Sequence, residues 1–438
     1  MPGGLCIGRE KLLKSFHMAT GKFCGEGNTA SQASAWEEAA DPAGSPQPLM
    51  RIAQIAPHPA GQNGIGIYAA RLNLELLAQD PRCSIIAPAD RLYGRSGLGG
   101  SDWRGREFPS HWSGSCLEEI DAASPQLVHI QHGLYIGHDD ELAHFLAGLR
   151  ARRIPCVMTL HGVWPATPLR RWPARFYRLL AASVERVIVH QQAGARALLQ
   201  ENGIPGRSIV VIPHGTWTSA ETAPAEIRAA VDTGGRRVVL FAGNIFRRKG
   251  LHIVIRAFPA VVRSVPEACL LVVGDERADN VLDRLYRLWL HARMRPGLKQ
   301  GWLLRRAEYV PDAELATRIA SAEVAVFPYQ RRYGSASGIF HRVLAAGRPA
   351  ICSNIPTFAE ANDAWGEGLP DLFPGRRDVG AWSRAMIRIL SEDPLRRRAM
   401  AASRALGNET SWSAVARQHL KLYRDLLSAA PAGRPGGG

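Results

Sequence analysis

The feature that most constrains this chain is a regular alternation of short apolar runs with longer segments of helical periodicity, which begins near residue 50. Segments such as 65–79 and 139–152 carry apolar residues at the spacing of one helix face. Strands that alternate with helices predict βαβ units and a parallel sheet. The apolar runs are the predicted strands, at 51–56, 83–87, 127–131, 155–160, 185–190 and 209–212.

The pattern starts again after a loose, turn-rich stretch at 217–236, which is interpreted as an interdomain linker. The sequence therefore predicts an α/β protein with two doubly wound, Rossmann-like domains at 50–216 and 237–408. The second domain's predicted strands are 237–242, 268–273, 307–310, 323–327 and 349–352. Outside the domains we expect a disordered leader at 1–49 with Met50 as the native start, a C-terminal helix at 409–430 that packs back toward the first domain, and a disordered tail at 431–438.

Composition limits the class of protein. A chain of 438 residues with 46% hydrophobic and 21% charged residues is typical of a folded protein of more than one domain. Its net charge of +15 predicts an anionic partner, which could be nucleic acid, an acidic membrane or a phosphorylated small molecule. The 7 cysteines include no C-x-x-C pair and favour a cytoplasmic location. No apolar run reaches the roughly 20 residues of a membrane-spanning helix, so any membrane contact is expected to be peripheral.

The strand ends of the first domain carry its candidate functional residues, because open parallel sheets bind ligands at the carboxyl ends of their strands. Gly64 and Gly66 follow the first strand, where they suit either close approach to an anion or a plain tight turn. Three His-Gly pairs follow later strands, at His132, His161 and His214. We select His161 as the catalytic candidate. Zinc binding is the competing interpretation, although no thiolate or second close histidine completes a ligand set.

Two loops of the second domain suit a phosphate group. Arg247, Arg248 and Lys249 lie just before a predicted helix, where positive charge adds to unpaired backbone amides. Ser335, Ser337 and the amides around Gly338 precede another helix and could cradle phosphate. Solvated surface charge is the alternative for the first loop, and helix capping alone is the alternative for the second.

A stretch at 164–186 interleaves arginines with aromatic residues, among them Arg175, Phe176, Tyr177 and Arg178. This combination suits the surface of an anionic bilayer, which would bring a lipid-linked acceptor to the cleft. A solvated helix face is the alternative.

A series of short motifs, in this order and spacing, resembles the glycosyltransferases of the GT-B fold, and specifically glycosyltransferase family 4. The motifs are Gly-Ile-Gly-Ile-Tyr at 64–68, Leu-His-Gly at 160–162, Ile-Val-His at 188–190, Ile-Pro-His-Gly at 212–215, Phe-Ala-Gly at 241–243, Lys-Gly at 249–250, Leu-Val-Val-Gly at 271–274, Tyr-Val-Pro-Asp-Ala-Glu-Leu at 309–315, Val-Phe-Pro-Tyr at 326–329 and Ala-Ala-Gly-Arg-Pro at 345–349.

The resemblance implies two domains facing across a cleft and transfer of a sugar, with retained configuration and without a metal, in polysaccharide or glycolipid synthesis. His161 would contact the sugar or the reacting centre, and Lys249 would hold the diphosphate. Tyr68 and His132 would face a glycan or lipid-linked acceptor at the inner face of the membrane. The residues implied to bind the nucleotide sugar are Gly64, Gly66, Asn244, Arg248, Lys249, Gly274, Val310, Tyr329, Ser335, Ser337, Gly338 and Ile339.

Two departures from the family pattern are visible. Most members carry a pair of glutamates around the second phosphate helix, at the positions of Gly334 and Arg342, and an arginine at the position of Asn244. Three alternatives therefore stay open. They are a non-catalytic partner subunit that binds nucleotide sugar, a sugar-nucleotide epimerase of the same fold, and a nucleic-acid binder, which we do not favour because no recognised module is present.

Overall fold

The computed structural model describes residues 50–56, 64–80, 82–86, 114–133, 139–163, 172–202, 204–217, 235–276, 281–306, 310–330, 336–365 and 368–429. The predicted leader and tail, most of the predicted linker and the residues at 164–171 lie outside these ranges. Two parallel sheets organise the rest, one of 6 strands and one of 5. We call them the N-terminal and the C-terminal sheet.

The N-terminal sheet has the strand order β2-β1-β3-β4-β5-β6, and every pairing is parallel. Helices follow its strands, as the alternating pattern predicts. The strands are β1 (Met50–Ile55), β2 (Cys83–Ile86), β3 (Leu127–His132), β4 (Cys156–Leu160), β5 (Arg186–Val189) and β6 (Ile209–Val211). The helices are α1 (Gly64–Gln79), α2 (Gly114–Ala123), α3 (Asp139–Ala151), α4 (Trp172–Ser183) and α5 (Gln192–Asn202).

The C-terminal sheet has the order β11-β10-β7-β8-β9, again all parallel. Its strands are β7 (Arg237–Ala242), β8 (Ala268–Val273), β9 (Leu303–Arg306), β10 (Val324–Phe327) and β11 (Ala350–Cys352). Its helices are α6 (Leu251–Ser264), α7 (Val281–Lys299), α8 (Asp312–Ser321), α9 (Gly338–Ala345), α10 (Ala359–Trp365), α11 (Val379–Ser391) and α12 (Asp393–Glu409).

One strand of the C-terminal sheet was not predicted. The predicted strand at 307–310 falls mostly on residues 307–309, which lie outside the described ranges, whereas the structure pairs Leu303–Arg306 with β8. This strand lies at the edge of its sheet, where only one neighbour is present. Leu303 is buried and Arg306 is exposed, so the strand lacks the continuous apolar run by which the inner strands are recognised.

The last helix, α13 (Trp412–Ala429), packs on the N-terminal sheet although it follows the C-terminal one. Its buried side chains share a core with β1 and α1, and include Trp412 and Tyr423. A Cβ atom on Gly215 would come within 2.1 Å of the Trp412 ring, so glycine is needed for this approach. The Trp412 amide donates to the Thr216 carbonyl over 3.0 Å, and the Thr216 amide donates to the Thr410 carbonyl over 2.7 Å.

Two further observations concern compartment and membrane. Four cysteines whose side chains the structure describes, Cys83, Cys156, Cys269 and Cys352, are unpaired and buried. Among the described residues, no helix combines the length and apolar character that crossing a bilayer requires.

Candidate active site

A cluster of buried rings lies at the carboxyl ends of β4, β5 and β6. The ring of Tyr68, from α1, lies 4.7 Å from that of His161, 5.0 Å from His190 and 5.2 Å from His214, measured between centroids. The three histidines are each 8% exposed or less, and Tyr68 is 2% exposed. The parallel topology brings these residues together because the strand ends of one sheet share an edge.

Hydrogen bonds fix how His161 is held. The Nδ1 atom of His190 lies 3.1 Å from the Ile212 carbonyl, which can only accept, so this nitrogen carries the proton. The Nε2 atom of His190 lies 3.2 Å from Nδ1 of His161. On its other side, Nε2 of His161 lies 2.8 Å from Oε1 of the Gln131 side chain. The donor in each of these two contacts depends on the tautomer of His161 and on the orientation of the Gln131 amide.

The chain of contacts continues away from the cleft. Gln131 lies 3.2 Å from Nε2 of His129, and Nδ1 of His129 lies 2.6 Å from the hydroxyl of Tyr423 on α13. His161 is therefore connected through buried side chains to the helix that closes the back of the N-terminal sheet.

Burial keeps these histidines neutral at pH 7. It lowers the pKa of His161 well below its usual range, and neighbouring histidines lower it further. It lowers the pKa of His190 to about 4 and that of His341, which lies on α9, to about 3. Proton transfer by His161 near neutral pH would thus begin from its uncharged form.

In the C-terminal sheet, two glycines bring strand ends unusually close. Gly243 and Gly274 follow β7 and β8 with φ angles of 118° and 143°, which other residues rarely adopt. A Cβ atom on Gly274 would lie 2.2 Å from the Gly243 carbonyl oxygen. Asn244 follows at an exposed position. The strand ends therefore form a side-chain-free floor that a ligand could approach.

Lys249 reaches the start of α9 by way of Tyr329. The residues Arg247–Lys249 form a 3-10 turn after β7, and Gly250 ends it at φ 74°. The Nζ atom of Lys249 lies 3.7 Å from the centroid of the Tyr329 ring, and the Tyr329 hydroxyl lies 2.8 Å from Oγ of Ser337. Burial, followed by the charge of Arg248, lowers the pKa of Lys249 to about 7.

The start of α9 faces the N-terminal sheet. Ser337 caps this helix by accepting from the amide of Phe340, and burial of Ser337 leaves it 6% exposed. A Cβ atom on Gly338 would lie 3.6 Å from Nε2 of His214. The His214 ring also stacks on that of His341 at 4.7 Å. The histidine cluster and the α9 amides thus meet across a narrow cleft between the sheets.

Further contacts join the two sides of this cleft. The side-chain amide of Gln191 donates to the backbone carbonyl of Thr357, and the backbone amide of Gln192 donates to the carboxylate of Glu360 over 2.8 Å. Thr216 contacts His341 over 2.7 Å. The cleft is therefore nearly closed in this structure.

An ion pair occupies one of the positions where the family pattern has a glutamate. The guanidinium of Arg342 lies 2.7 Å from a carboxylate oxygen of Asp312, at the start of α8, and 4.2 Å from the centroid of the Trp217 ring. Val310 is buried two residues before Asp312. A carboxylate is thus present at this place, although a different element supplies it.

The structure distributes the remaining predicted residues as follows. Gly66 is buried and Gly64 exposed in the first turn of α1, rather than in the loop before it. His132 stacks on Phe176 at 4.8 Å. Ile339 is partly exposed in the first turn of α9, and its side chain lies 3.7 Å from the position of a Cβ on Gly243. Ser335 lies outside the described residues.

Two of the aromatic residues in the stretch proposed for membrane contact, Phe176 and Tyr177, are not available to a bilayer. Phe176 and Tyr177 lie in the core of the N-terminal half, at 1% and 0% exposure, where they cover the sheet. Arg175 is paired with Asp140. The interleaved pattern of α4 is therefore a helix with one buried and one charged face.

Four residues of the cleft were not identified from the sequence, namely Gln131, His190, Asp312 and His341. Gln131 and His190 stand at strand ends beside the predicted histidines, a position that could have identified them. Asp312 and His341 sit inside helices, and their roles depend on contacts between distant segments. Among the described residues, no group of three His, Cys, Asp or Glu is placed to hold a metal ion.

Comparisons with known proteins identify related glycosyltransferases. Residues 62–219 match the family model Glycosyltransferase Family 4, and residues 236–392 match Glycosyl transferases group 1. The chain is 29% identical over 227 residues to phosphatidyl-myo-inositol mannosyltransferase of Mycobacterium tuberculosis. That alignment covers 51% of this chain and 56% of the relative, so the chain spans about half the length of this relative.

Solved structures of low sequence identity share the fold. Anabaena HepE in complex with UDP and glucose superposes with a TM-score of 0.63 at 13% identity, over 86% of this chain and 100% of that one. Sucrose-phosphate synthase from Thermosynechococcus elongatus superposes with a TM-score of 0.64 at 19% identity, over 87% and 100%. The two-sheet architecture facing a cleft is therefore the GT-B fold.

Proposed function

Since this chain belongs to glycosyltransferase family 4, we propose that it is an active glycosyltransferase that takes its sugar from a nucleotide diphosphate donor. The single observation that carries the proposal is the meeting of two groups across one cleft. Lys249, Tyr329 and the capped start of α9 lie on one side, and His214 with the cluster around His161 lies on the other.

The chemistry follows from where charge develops. When the bond between the anomeric carbon and the β-phosphate oxygen breaks, its electron pair stays on the phosphate. The ammonium of Lys249 and the amides of Gly338 and Ile339 are placed to oppose that charge without reorganisation. No metal is required for this step in the proposal.

The glycine floor makes room for the diphosphate. Because Gly243 and Gly274 carry no Cβ atoms, phosphate oxygens can approach the backbone beside Lys249. Arg248 adds charge within the same turn, and its guanidinium stacks 3.9 Å over the Phe246 ring. This loop therefore supplies charge that Asn244 does not.

His161 is proposed to contact the donor sugar at the reacting centre. Its neutral imidazole is fixed by His190 and Gln131, so the ring presents a defined edge to the cleft. The acceptor would enter on the side of the N-terminal sheet. We propose a glycan or lipid-linked acceptor and retention of configuration, on the basis of the family.

We propose that Asp312 recognises the ribose of the donor, in place of the glutamate of the family pattern. The family pattern implies a carboxylate at position 342, where this chain has Arg342. Asp312 returns a carboxylate to the same place and is 2.7 Å from that arginine. One carboxylate oxygen would accept from a ribose hydroxyl, while the other stays paired with Arg342.

A second function is favoured by one observation. Both glutamates of the family pattern are replaced in the sequence, by Gly334 and Arg342, and Gly334 lies outside the described residues. A non-catalytic subunit that binds nucleotide sugar would tolerate this loss. It predicts donor binding without turnover.

The test is a panel of nucleotide sugars in a thermal-shift assay, followed by measurement of nucleotide diphosphate release with and without acceptor extracts and with and without EDTA. Our proposal expects one donor class to raise the unfolding temperature and then to turn over in EDTA. Binding without release of nucleotide diphosphate under any acceptor would instead establish the non-catalytic subunit. Conversion of the donor without acceptor would identify an epimerase.

The proposed compartment is the cytoplasm, at the inner face of the membrane if the acceptor is a lipid. The buried, unpaired cysteines fit a reducing environment. Cell fractionation with an antibody against the chain would test this directly.

A further inference from the structure

Helix α7 carries a stripe of exposed apolar side chains that no described element covers. Val281, Leu282, Leu285, Leu288 and Trp289 are between 40% and 73% exposed. Their spacing of one, four, seven and eight residues places them on one face of the helix. We call these five residues the α7 stripe. A contiguous apolar surface of this kind is typical of an interaction site.

The opposite face of α7 is fixed to the protein. Leu290 and Met294 are fully buried in the core of the C-terminal half. A Cβ atom on Gly297 would lie 2.6 Å from the Trp302 ring, which shows how closely the helix end is packed. The stripe is therefore presented by an anchored helix.

A basic cavity adjoins the stripe. Its volume is about 680 Å³, and its walls carry four arginines against one aspartate. The arginines come from the 3-10 turn after β7, from α6 and from the loop before α11. They are Arg247, Arg248, Arg256 and Arg377, and the aspartate is Asp283 at the start of α7.

The cavity and the stripe share a wall. His252 lines the cavity, its Nδ1 atom lies 3.0 Å from the Tyr286 hydroxyl, and its ring lies 6.0 Å from that of Trp289. Burial lowers the pKa of His252 to about 4, and the positive charges of Arg247, Arg256 and Arg377 contribute to the same shift. These three guanidinium groups therefore create a positive potential at His252.

The 3-10 turn separates this cavity from the donor site. Consecutive residues of such a turn point about 120° apart. Lys249 lies over Tyr329 toward the cleft, whereas Arg247 and Arg248 line the cavity. The cavity is therefore a second basic site beside the proposed diphosphate site, and Arg248 is the residue that the two share.

We propose that the α7 stripe and the arginine cavity dock the protein on an anionic phospholipid surface. The stripe inserts among the acyl chains near the headgroups, and the cavity takes a lipid phosphate. Lipid is the ligand that offers apolar chains directly beside phosphate. A single-stranded nucleic acid would match the arginines but not the leucines, because it is bound by stacking on aromatic rings.

Charge also argues against a second copy of the chain as the occupant. Helix α7 carries Arg284, Arg287, Arg293, Arg295 and Lys299 against Asp283 alone. In a two-fold symmetric dimer the same patch faces itself, so these cations would meet one another. An anionic bilayer neutralises them.

The experiment is sedimentation of the full chain with phosphatidylcholine vesicles, with and without phosphatidylglycerol. We expect the protein to sediment only with the anionic vesicles. Arg256→Gln with Arg377→Gln should weaken this partitioning about 25-fold, at about fivefold for each cation near the surface. Leu285→Gln with Leu288→Gln should weaken it at least about tenfold.

The matched control is Arg196→Gln with Arg207→Gln, which removes the same charge from exposed positions of the N-terminal half and should leave partitioning nearly unchanged. An equal loss of partitioning in this control would show that only net charge matters, and would overturn the assignment. Absence of sedimentation with anionic vesicles, or stabilisation by inorganic phosphate alone, would also overturn it. The same holds for binding of single-stranded DNA in place of vesicles, and for a dimer in light scattering that the leucine substitutions convert to monomer. None of these outcomes bears on sugar transfer, which the donor assay measures separately.

Discussion

The Nδ1 atom of His161 lies 3.2 Å from the Nε2 atom of His190, so the proposed catalytic ring is held by a second histidine at the end of the next strand. His190 itself is fixed by the carbonyl of Ile212. The orientation of His161 is therefore set by β5 and β6 together, and can be disturbed without touching the substrate.

The first prediction concerns His190 as a positioning residue. His190→Ala should lower kcat by about 10- to 100-fold with little change in donor KM, since a misplaced reacting group costs rate more than binding. His190→Gln, which can accept the same hydrogen bond, should restore part of kcat. Steady-state kinetics on both variants measure this. A purely structural role would instead lower the unfolding temperature and affect both variants alike.

The second prediction concerns Lys249. Lys249→Ala should lower transfer by on the order of 100-fold, because it removes a fixed positive charge from the leaving phosphate. Arg207→Ala, far from the cleft, serves as the comparison. Unchanged turnover in Lys249→Ala would remove this residue from the mechanism.

The third prediction is a pH dependence of donor binding. Burial lowers the pKa of Lys249 to about 7, so its ammonium is lost as the pH rises through that value. Donor affinity should be greatest below pH 7 and should fall above it by at most about tenfold per pH unit. Isothermal titration at several pH values measures this. Lys249→Arg stays charged and should give a flat profile, and an equally steep profile in that variant would contradict the assignment.

The fourth prediction concerns Asp312. Asp312→Asn should raise donor KM by about 10- to 150-fold while kcat changes little, since a hydrogen bond to a charged group contributes roughly 1.5–3 kcal/mol. The wild-type protein should also prefer a ribonucleotide donor over its deoxyribose analogue, and the variant should lose this preference. An undiminished preference in Asp312→Asn would place ribose recognition elsewhere.

The fifth prediction is acid unfolding. A histidine whose folded pKa is lowered stays neutral while the unfolded chain binds a proton, so stability falls as the pH drops below about 6.5 toward the folded pKa. Each such group costs about 1.4 kcal/mol per pH unit in that window. The buried histidines with lowered pKa are His129, His132, His161, His190, His214, His341 and His419.

We therefore expect the unfolding temperature, followed by circular dichroism, to fall steeply between pH 6.5 and 4. His419→Phe should remove the contribution of one histidine to this fall in unfolding temperature, provided that the ring fits the space between Val415 and Tyr423. An unfolding temperature that stays constant down to pH 5 would show that protonation of these histidines does not destabilise the folded state.

Much of the fold was predictable because most strands are dominated by apolar residues, as is typical of buried parallel strands. The edge strand at Leu303–Arg306 was not predicted, because only its first two residues are apolar and two arginines follow them. Within the site, the His-Gly pairs at strand ends pointed to the cluster, since topology alone brings them to one edge. The partnership of Asp312 with Arg342, and that of His341 with Thr216, depend on how helices pack, and local sequence carries no signal for that.

The membrane prediction shows the same limit. Arginines and aromatic residues alternate in both α4 and α7, and sequence periodicity does not reveal which face a neighbour covers. In α4 the aromatic face is in the core, whereas in α7 the leucines remain outside. The packing of each helix against its neighbours, which the sequence pattern does not show, determines whether its apolar face is buried or exposed.

The packing of Trp412 against Gly215 has a consequence for biosynthesis. Helix α13 supplies part of the interior of the N-terminal half, yet it leaves the ribosome after the whole C-terminal sheet. The earlier-made half cannot complete its interior until α13 has been synthesised. Expressing the two halves as separate polypeptides would therefore leave the first without part of its core, and a nonsense mutation just before α13 would destabilise the half of the protein that is made first.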